Sequence, residues 1–230
     1  MHNKLFCLSD VGIVIQGPTT YYKEILNNLD YQFDYIWSTW DDEPVENLIE
    51  INKKIKLVIS KKPNYPGVSN INLQCKSSEE GIKLLNKPWI IKIRSDLIWF
   101  GQEELITKVF NKIIENNSFA AFFNYKPTIK EIHDFICFGS KENLIKIWSY
   151  RQLDFIHRSP ENQLVNHLMK LLNLDYDAMV KRMSFVNVLM EENKLDFICL
   201  KYYTATYTTL CNQCNSDLFG VPSYPKKIDS

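Results

Sequence analysis

The stretch Val11-Gly12-Ile13-Val14-Ile15-Gln16 is almost wholly apolar and is followed at once by Gly17-Pro18. A short, continuous apolar run that stops at a turn signal is typical of a strand that is buried on both faces. Such strands belong to parallel sheets that helices cover on both sides. The stretch therefore predicts the first strand of a buried, parallel sheet.

Further strands and helices alternate with this first strand over roughly half of the chain. Strands are predicted at 35–40, 55–60, 89–93 and 119–123, and helices at 20–29, 72–85 and 103–116. Alternation of this kind implies βαβ crossovers between parallel strands. We therefore predict an α/β fold with a mainly parallel, Rossmann-like central sheet flanked by helices.

The later part of the chain has a less regular pattern. Strands are predicted at 133–139 and 197–200 and helices at 141–148, 160–172 and 178–191, while 202–230 has no clear pattern. The start of helix 160–172 is well marked, because Ser159 can cap it and Pro160 suits its first position. All 230 residues are expected to form a single domain, since one hydrophobic core supports a chain of this size.

Composition excludes several classes of protein. With 45% hydrophobic and 23% charged residues, the chain can bury a large core and keep a polar surface. Its 27 basic and 27 acidic residues cancel, so no overall field attracts nucleic acid. No apolar run reaches the ~18 residues that a transmembrane segment needs. We expect a cytoplasmic protein, in a bacterium or in the cytoplasm of a host.

The 6 cysteines lie mostly within apolar segments. This placement favours buried free thiols in a reducing compartment over a disulfide framework. Cys211 and Cys214 have the spacing of a metal pair, but a structural zinc site normally needs a second pair or histidines nearby. Zinc or redox use of this pair is the less favoured alternative.

Polar loops follow the first, second and fourth predicted strands, and the carboxyl ends of parallel strands are where such sheets bind ligands. Asp96 follows the fourth strand, and a carboxylate there can hold Mg²⁺ or Mn²⁺ together with substrate phosphates. Alternatively, Asp96 pairs with Arg94 or caps a turn. The sequence has neither a P-loop nor a dinucleotide-binding glycine motif.

Several short motifs occur in a fixed order. They are Ile13-Val14-Ile15-Gln16-Gly17-Pro18, Trp37-Ser38-Thr39-Trp40, Asn70-Ile71-Asn72-Leu73-Gln74, Lys92-Ile93-Arg94-Ser95-Asp96-Leu97 and Asp134-Phe135-Ile136-Cys137-Phe138-Gly139. In these motifs the chain resembles the WavE lipopolysaccharide-synthesis family, from about residue 11 to 170. The resemblance implies a GT-A-like glycosyltransferase fold in which a divalent cation bridges the diphosphate of a nucleotide-sugar to an acid after the fourth strand.

The resemblance also implies roles for the residues of this acidic motif. Asp96 would bind the metal ion, which we expect to be Mn²⁺ or Mg²⁺. Arg94 stands where the usual Asp-x-Asp motif has its first acid, so Arg94 and Ser95 are predicted to contact the diphosphate, with the guanidinium as a fixed cation. The alternative is that Arg94 forms a salt bridge with Asp41 or Asp42.

Other residues are predicted to bind the donor. Gln16, Gly17 and Pro18 would line the nucleotide pocket, since Gly17 lets the backbone approach the ligand closely. Further donor contacts are predicted for Thr39, Asp41, Asn72, Gln74 and Lys76. For Thr39 and Asp41, a role as turn residues is the alternative.

An inverting transferase needs a carboxylate that takes the proton of the acceptor hydroxyl. Glu161 is the first candidate, because it resembles the acid of the x-Glu-Asp motif of inverting GT-A enzymes, although Asn162 replaces the aspartate. As an alternative, Glu161 only meets the positive end of its helix. Asp134 is the second candidate, and His133 beside it is a weaker candidate ligand for metal or phosphate.

The predicted activity is transfer of a sugar from a UDP- or GDP-sugar to a saccharide or glycan acceptor in surface polysaccharide synthesis, with inversion expected. The donor half would cover about 1–125 and the acceptor-side half about 126–230. A non-catalytic nucleotide- or saccharide-binding module is one alternative, which the arginine at position 94 favours. A nucleotidyltransferase is the other, although the turn after the first strand is too short for its glycine-rich phosphate loop.

Overall fold

A central sheet with helices on both faces organises the protein. The computed structural model describes residues 6–99, 103–122, 134–153, 159–182, 184–185, 197–199 and 205–206. Its strands are β1 (Val11–Gln16), β2 (Asp34–Trp40), β3 (Lys56–Ser60), β4 (Trp89–Arg94), β5 (Leu97–Trp99), β6 (Ala120–Phe122), β7 (Ile136–Ser140), β8 (Ser184–Phe185), β9 (Phe197–Cys199) and β10 (Ala205–Thr206). Its helices are α1 (Tyr22–Asn27), α2 (Val45–Asn52), α3 (Ile71–Leu84), α4 (Glu103–Glu115), α5 (Lys141–Trp148), α6 (Pro160–Leu172) and α7 (Tyr176–Arg182).

The central sheet has the strand order β3-β2-β1-β4-β7-β6-β8. The pairs β3-β2, β2-β1, β1-β4 and β6-β8 are parallel, and β7 runs antiparallel to both of its neighbours. The chain builds outward from β1 to β3 and then crosses to the other side of β1 to form β4. The order therefore reverses between β1 and β4, and a crevice opens at such a switch point in doubly wound sheets.

Side chains of the central strands alternate between two cores, as the pleat requires. Ile13 and Ile15 pack in one core with residues of α1 and α4, whereas Val14 packs in the other with residues of α3, α5 and α6. Both cores consist mainly of apolar side chains, whose burial stabilises the middle of the sheet and fixes its strand register. The ends of the strands are thereby held in place for the site.

The predicted α/β class with a mainly parallel, GT-A-like sheet flanked by helices is confirmed. Strands from both sides of residue 125 join one sheet, because β7 pairs with β4. Phe197–Cys199 is a strand as predicted, and it lies in a second sheet of order β10-β9-β5. The expected single domain, and its division into donor and acceptor halves, stay predictions.

One local prediction is wrong, and two short elements were not predicted. The predicted helix 178–191 is wrong at Ser184–Phe185, which form β8, because these residues pair in parallel with β6. Helix α2 was not predicted, since most of its apolar side chains are not buried: Val45 and Ile49 are exposed, and Ile51 alone of the helix is fully buried. Strand β5 is only three residues long, and it was also missed.

Among the described residues, no helix is long and apolar enough to cross a membrane. Among the described residues, Cys7, Cys75 and Cys137 are free thiols. Cys75 and Cys137 are buried, and Cys7 is exposed. Burial raises the pKa of Cys75 to about 12. The pair Cys211 and Cys214 lies outside the described residues.

Candidate functional site

A cleft of about 520 Å³ opens at the carboxyl ends of β1, β2 and β4, at the switch point of the sheet. Gln16, the last residue of β1, is the register partner of Arg94, the last residue of β4. The lining residues are Gln16, Gly17, Pro18, Thr20, Tyr21, Trp40, Glu43, Lys62, Ser69, Asn70, Leu73, Gln74, Arg94, Ser95, Asp96 and Asp134. The loops that the strand pattern predicted to meet at one rim do meet there.

The turn after β1 packs tightly against the turn after β4. The amide of Ser95 donates to the carbonyl of Gln16 at 2.8 Å, and the amide of Gly17 donates to the carbonyl of Ser38 at 3.1 Å. Gly17 has a φ of 132°, and a Cβ placed on it would lie 2.5 Å from Oγ of Ser95. A side chain at Gly17 would therefore be strained by the backbone and would collide with the facing turn.

Arg94 forms an ion cluster with two aspartates. Its Nε donates to Oδ1 of Asp96 at 3.0 Å, its Nη2 donates to Oδ2 of Asp96, and its Nη1 donates to Oδ1 of Asp134 at 3.3 Å. The side chains are 20% exposed for Arg94, 13% for Asp96 and 3% for Asp134. The ring of Phe135 lies under the guanidinium, 4.7 Å away. This cluster is held rigidly and reaches the cleft at its edge.

The side chain of Lys92 lies beneath the ion cluster, on the same face of β4 as Arg94. It is fully buried, its Nζ donates to the main-chain carbonyl of Asp134 at 2.6 Å, and it lies 4.5 Å from the ring of Trp148. Burial lowers the pKa of Lys92, and the nearby carboxylate of Asp134 opposes that shift. Lys92 and Arg94 thus fix Asp134 through its main chain and its side chain respectively.

The loop before α3 forms another wall of the cleft. Gly67, Ser69 and Asn70 all have positive φ values, of 76°, 52° and 65°. Such conformations are costly for residues other than glycine and persist where surrounding contacts enforce them. The enforcing contacts come from Asn72, whose side chain donates to the carbonyls of Tyr65 at 3.1 Å and Gln152 at 2.9 Å and accepts from the amide of Gln152 at 2.6 Å.

Two glutamines that line the cleft have buried amide oxygens without a described partner. Gln16 is 6% exposed, and its Oε1 is buried without a hydrogen-bond partner among the described residues. Gln74, one turn into α3, likewise has a buried Oε1 that no described donor reaches. A buried polar atom without a partner costs about 1–3 kcal/mol, so native proteins rarely retain one without a reason.

Many of the predicted site residues lie together in this cleft. They are Gln16, Gly17, Pro18, Gln74, Arg94, Ser95, Asp96 and Asp134. Asp96 pairs with Arg94, as one alternative from the sequence proposed. Asp42, which was proposed as another partner of Arg94, pairs with Lys62 at 2.6 Å. Their predicted roles in binding or catalysis stay predictions.

The other predicted residues do not line the cleft. Thr39 is fully buried in β2, and Asp41 is an exposed residue whose amide donates to the carbonyl of Ser60. Asn72 holds the loop described above. The Nζ of Lys76 donates to the carbonyl of Lys61 at 2.6 Å. The structure shows structural contacts for Asp41, Asn72 and Lys76 and strand pairing for Thr39, and the donor contacts of all four stay predictions.

Glu161 lies in the first turn of α6, behind the predicted cap, in which Oγ of Ser159 accepts from the amide of Asn162 at 3.2 Å. It is partly buried and is not among the residues that line the cleft. Helix α6 nevertheless contacts the 3-10 turn Val68–Asn70, which forms one wall of the cleft. His133 lies outside the described residues.

Sequence reasoning missed several lining residues, among them Tyr21, Glu43 and Lys62. Oε2 of Glu43 accepts from the amide of Thr19 at 2.8 Å and from its hydroxyl at 2.6 Å. Glu43 therefore ties the loop after β2 to the loop after β1. The polar character of Thr39–Asp42 pointed to this loop, but the carboxylate that reaches the cleft is one residue further along.

Charge in the cleft bears on a metal ion. Among the described residues, no group of three or more His, Cys, Asp or Glu side chains could hold a metal ion by itself. Lining acids outnumber lining bases, with Glu43, Asp96 and Asp134 against Lys62 and Arg94. A diphosphate entering a cleft with this excess of negative charge requires further positive charge. Asp96 and Asp134 supply oxygens of the kind that bind Mg²⁺ or Mn²⁺ together with substrate phosphates, and Arg94 occupies three of these oxygens in the structure.

Comparison with known proteins supplies the wider context. No curated protein matches this sequence closely enough to count as a relative. Among solved structures, one that resembles the chain is a cytidylyltransferase from Leptospira borgpetersenii, with a TM-score of 0.46, 14% identity, and coverage of 76% of this chain and 75% of the other. The family of WavE lipopolysaccharide synthesis proteins matches residues 11–176. The chain belongs to the WavE lipopolysaccharide synthesis family.

Proposed function

We propose that this protein is a glycosyltransferase that transfers a sugar from a UDP- or GDP-sugar to a saccharide acceptor in lipopolysaccharide synthesis. The observation that carries the proposal is the polar cleft at the switch point between β1 and β4, where Gln16 and Arg94 end paired strands. Clefts in this position of an α/β sheet bind nucleotides. Membership of a lipopolysaccharide synthesis family supports a sugar as the group that is transferred.

Arg94 is proposed to bind the diphosphate of the donor. Its planar guanidinium matches two phosphate oxygens at once, as it now matches the two oxygens of Asp96. Ser95 and the turn at Gly17 would contact the same part of the donor. These groups neutralise and hold the leaving nucleotide, whose negative charge increases as the bond to the sugar breaks.

A divalent cation is proposed to bind together with the donor, held by Asp96 with Asp134 nearby. When bound, it would supply the positive charge that the lining lacks and would stabilise the leaving diphosphate. Mn²⁺ and Mg²⁺ are the candidates. Without the donor phosphates, the described residues offer the ion few ligands, so we expect the ion and the nucleotide to bind cooperatively.

The acceptor hydroxyl must lose a proton as its oxygen attacks the anomeric carbon. Glu161 remains the first candidate for the base, because α6 contacts the cleft wall and leaves its first turn partly open. Asp134 remains the second, and its carboxylate is engaged by Arg94. A carboxylate on the acceptor side is what inversion of the anomeric centre requires, and we propose inversion.

The experiment is to incubate the protein with UDP- and GDP-sugars, with and without Mn²⁺ or Mg²⁺, and to measure release of free nucleotide. We expect slow hydrolysis of one donor class, which a divalent ion accelerates by at least ~10-fold. If no donor is bound or hydrolysed under any of these conditions, the chain is not a glycosyltransferase.

A further inference from the structure

Two kinds of polar side chain line the cleft. In one, Arg94 bonds to both Asp96 and Asp134. Gln16 and Gln74 also line the cleft, and their amide oxygens are buried without a described donor. Native proteins rarely retain such atoms without a reason, so the two glutamines need an explanation.

We infer that Gln16 and Gln74 form a subsite for a neutral, hydrogen-bond-donating part of the donor. An amide oxygen accepts hydrogen bonds, so it cannot bind a phosphate oxygen, which is also an acceptor. Its partners are hydroxyl groups and the N–H groups of a nucleobase. The inference rests on the proposed function and divides the nucleotide-sugar between an anionic subsite at Arg94 and a neutral subsite at the glutamines.

The positions of the two side chains support this division. Gln16 is the last residue of β1, and the next residue, Gly17, keeps the turn beside it free of a side chain. Gln74 projects from α3, and Tyr21, Trp40 and Leu73 line the same cleft. Aromatic and aliphatic surfaces next to hydrogen-bonding amides suit a nucleoside or a sugar ring, both of which have apolar faces and polar edges.

A residue kept for a ligand should destabilise the free protein. The enclosed oxygens lose their bonds to water on folding, and the described structure gives them nothing in return. A methionine of similar length at either position would remove this cost, and it would also remove the acceptor. Increased stability together with weaker ligand binding is a signature that a residue with only a structural role does not produce.

The experiment compares Gln74→Met and Gln16→Met with the matched control Gln163→Met. Gln163 is buried like Gln16, but its Oε1 accepts a hydrogen bond from the hydroxyl of Tyr150 at 3.1 Å. We expect the melting temperature of the free protein to rise by about 2–4 °C for each cleft variant and to fall for the control. Gln74→Glu keeps an acceptor oxygen at this position. Comparison with Gln74→Met therefore distinguishes the effect of losing the acceptor from the effect of changing the side-chain shape.

Ligand binding is measured by calorimetry with UDP, GDP and UDP-glucose in the presence of Mn²⁺. We expect Gln74→Met and Gln16→Met each to weaken binding by about tenfold and the control to leave it unchanged. Equal weakening for UDP and UDP-glucose assigns the subsite to the nucleoside, and weakening for UDP-glucose alone assigns it to the transferred sugar.

Unchanged affinity in both cleft variants, or a fall in their melting temperatures like that of the control, would overturn the inference while the proposed function stands. Failure of the unchanged protein to bind any of these ligands would instead overturn the proposed function, and the inference with it. If a methionine variant does not fold, the cost assigned to the unpaired oxygen is wrong, which also overturns the inference.

Discussion

Two groups of polar side chains in the cleft differ in how completely they are paired. In the ion cluster, Arg94 bonds to both oxygens of Asp96 and to Asp134, and Lys92 donates to the main chain of Asp134. In the glutamine pair, the amide oxygens of Gln16 and Gln74 are buried without a described partner. Gln16 and Arg94 end neighbouring strands, so the two groups differ in pairing although they adjoin each other.

The difference indicates how each group would meet a ligand. We expect the ion cluster to exchange some of its own contacts for phosphate and cation. The glutamine pair would have fewer contacts to exchange, since its amide oxygens have no described partner. We therefore expect charge to govern affinity at the ion cluster and hydrogen-bond complementarity to govern it at the glutamine pair.

The largest expected effect is that of Arg94→Met. It removes the proposed diphosphate contact and leaves the buried carboxylate of Asp134 and the partly buried one of Asp96 without their shared cation, so we expect donor hydrolysis to fall by roughly 1,000-fold and stability by about 3 kcal/mol. Arg151→Met is the matched control, because Arg151 also pairs with a partly buried acid, Glu79, but does not line the cleft. If both variants retain activity, the ion cluster has only a structural role.

The next effect concerns the acceptor side and is tested with Glu161→Gln. If Glu161 takes the proton of the acceptor hydroxyl, we expect kcat to fall by at least ~100-fold, with little change in donor affinity. Asp134→Asn provides the comparison, because Asp134 lies within the ion cluster and its loss should change donor affinity as well. A rate unchanged in Glu161→Gln but lost in Asp134→Asn would transfer the role of base to Asp134.

A smaller effect is expected where the two turns meet. Gly17→Ala should destabilise the protein by about 2 kcal/mol, because it places a side chain at a positive φ and against Ser95. Gly12→Ala is the control, since its new Cβ meets only the side chains of Leu85 and Lys87, at 3.0 and 3.1 Å, and lies at an ordinary φ. Urea unfolding measures both, and an equal loss in the two variants would contradict a specific requirement at the turn.

The smallest effect is that of Lys92→Met. Burial lowers the pKa of Lys92 from its ordinary 10.5, so the unfolded chain holds this proton more tightly than the folded protein does. The contribution of Lys92 to stability therefore rises as pH increases toward 10.5. We expect the free energy of unfolding of Lys92→Met to be within ~1 kcal/mol of that of the unchanged protein at neutral pH. As pH rises, the variant should become less stable relative to the unchanged protein. Unfolding at several pH values tests this, with exposed Lys108→Met as the control.

The central sheet was readily predicted, because its buried parallel strands are short apolar runs bounded by turn residues such as Gly17-Pro18. Helix α2 was missed although Val45 and Ile49 have helical spacing, because the helix is only eight residues long and buries only Ile51 fully. Strand β8 was predicted as a helix, because its pairing with β6 is a long-range contact that no local pattern encodes.

The site was predicted in part. The strand-end rule brought Gln16 and Arg94 to one rim, because both follow from the strand pattern alone. The strand-end rule did not distinguish Gln74 from Asn72. Gln74 lines the cleft, whereas Asn72 bonds to Tyr65 and Gln152, because side chains two residues apart on a helix point in different directions. Glu43 was missed because its contact with Thr19 joins loops that are distant in sequence.

The most direct test of the central claim is nucleotide-sugar binding by the unchanged protein, Arg94→Met and Arg151→Met, measured by calorimetry with UDP- and GDP-sugars and Mn²⁺. We predict that the unchanged protein and Arg151→Met bind one donor class with similar affinity, and that Arg94→Met binds it at least ~100-fold more weakly. Equal donor affinity in all three proteins would contradict the placement of the diphosphate at Arg94.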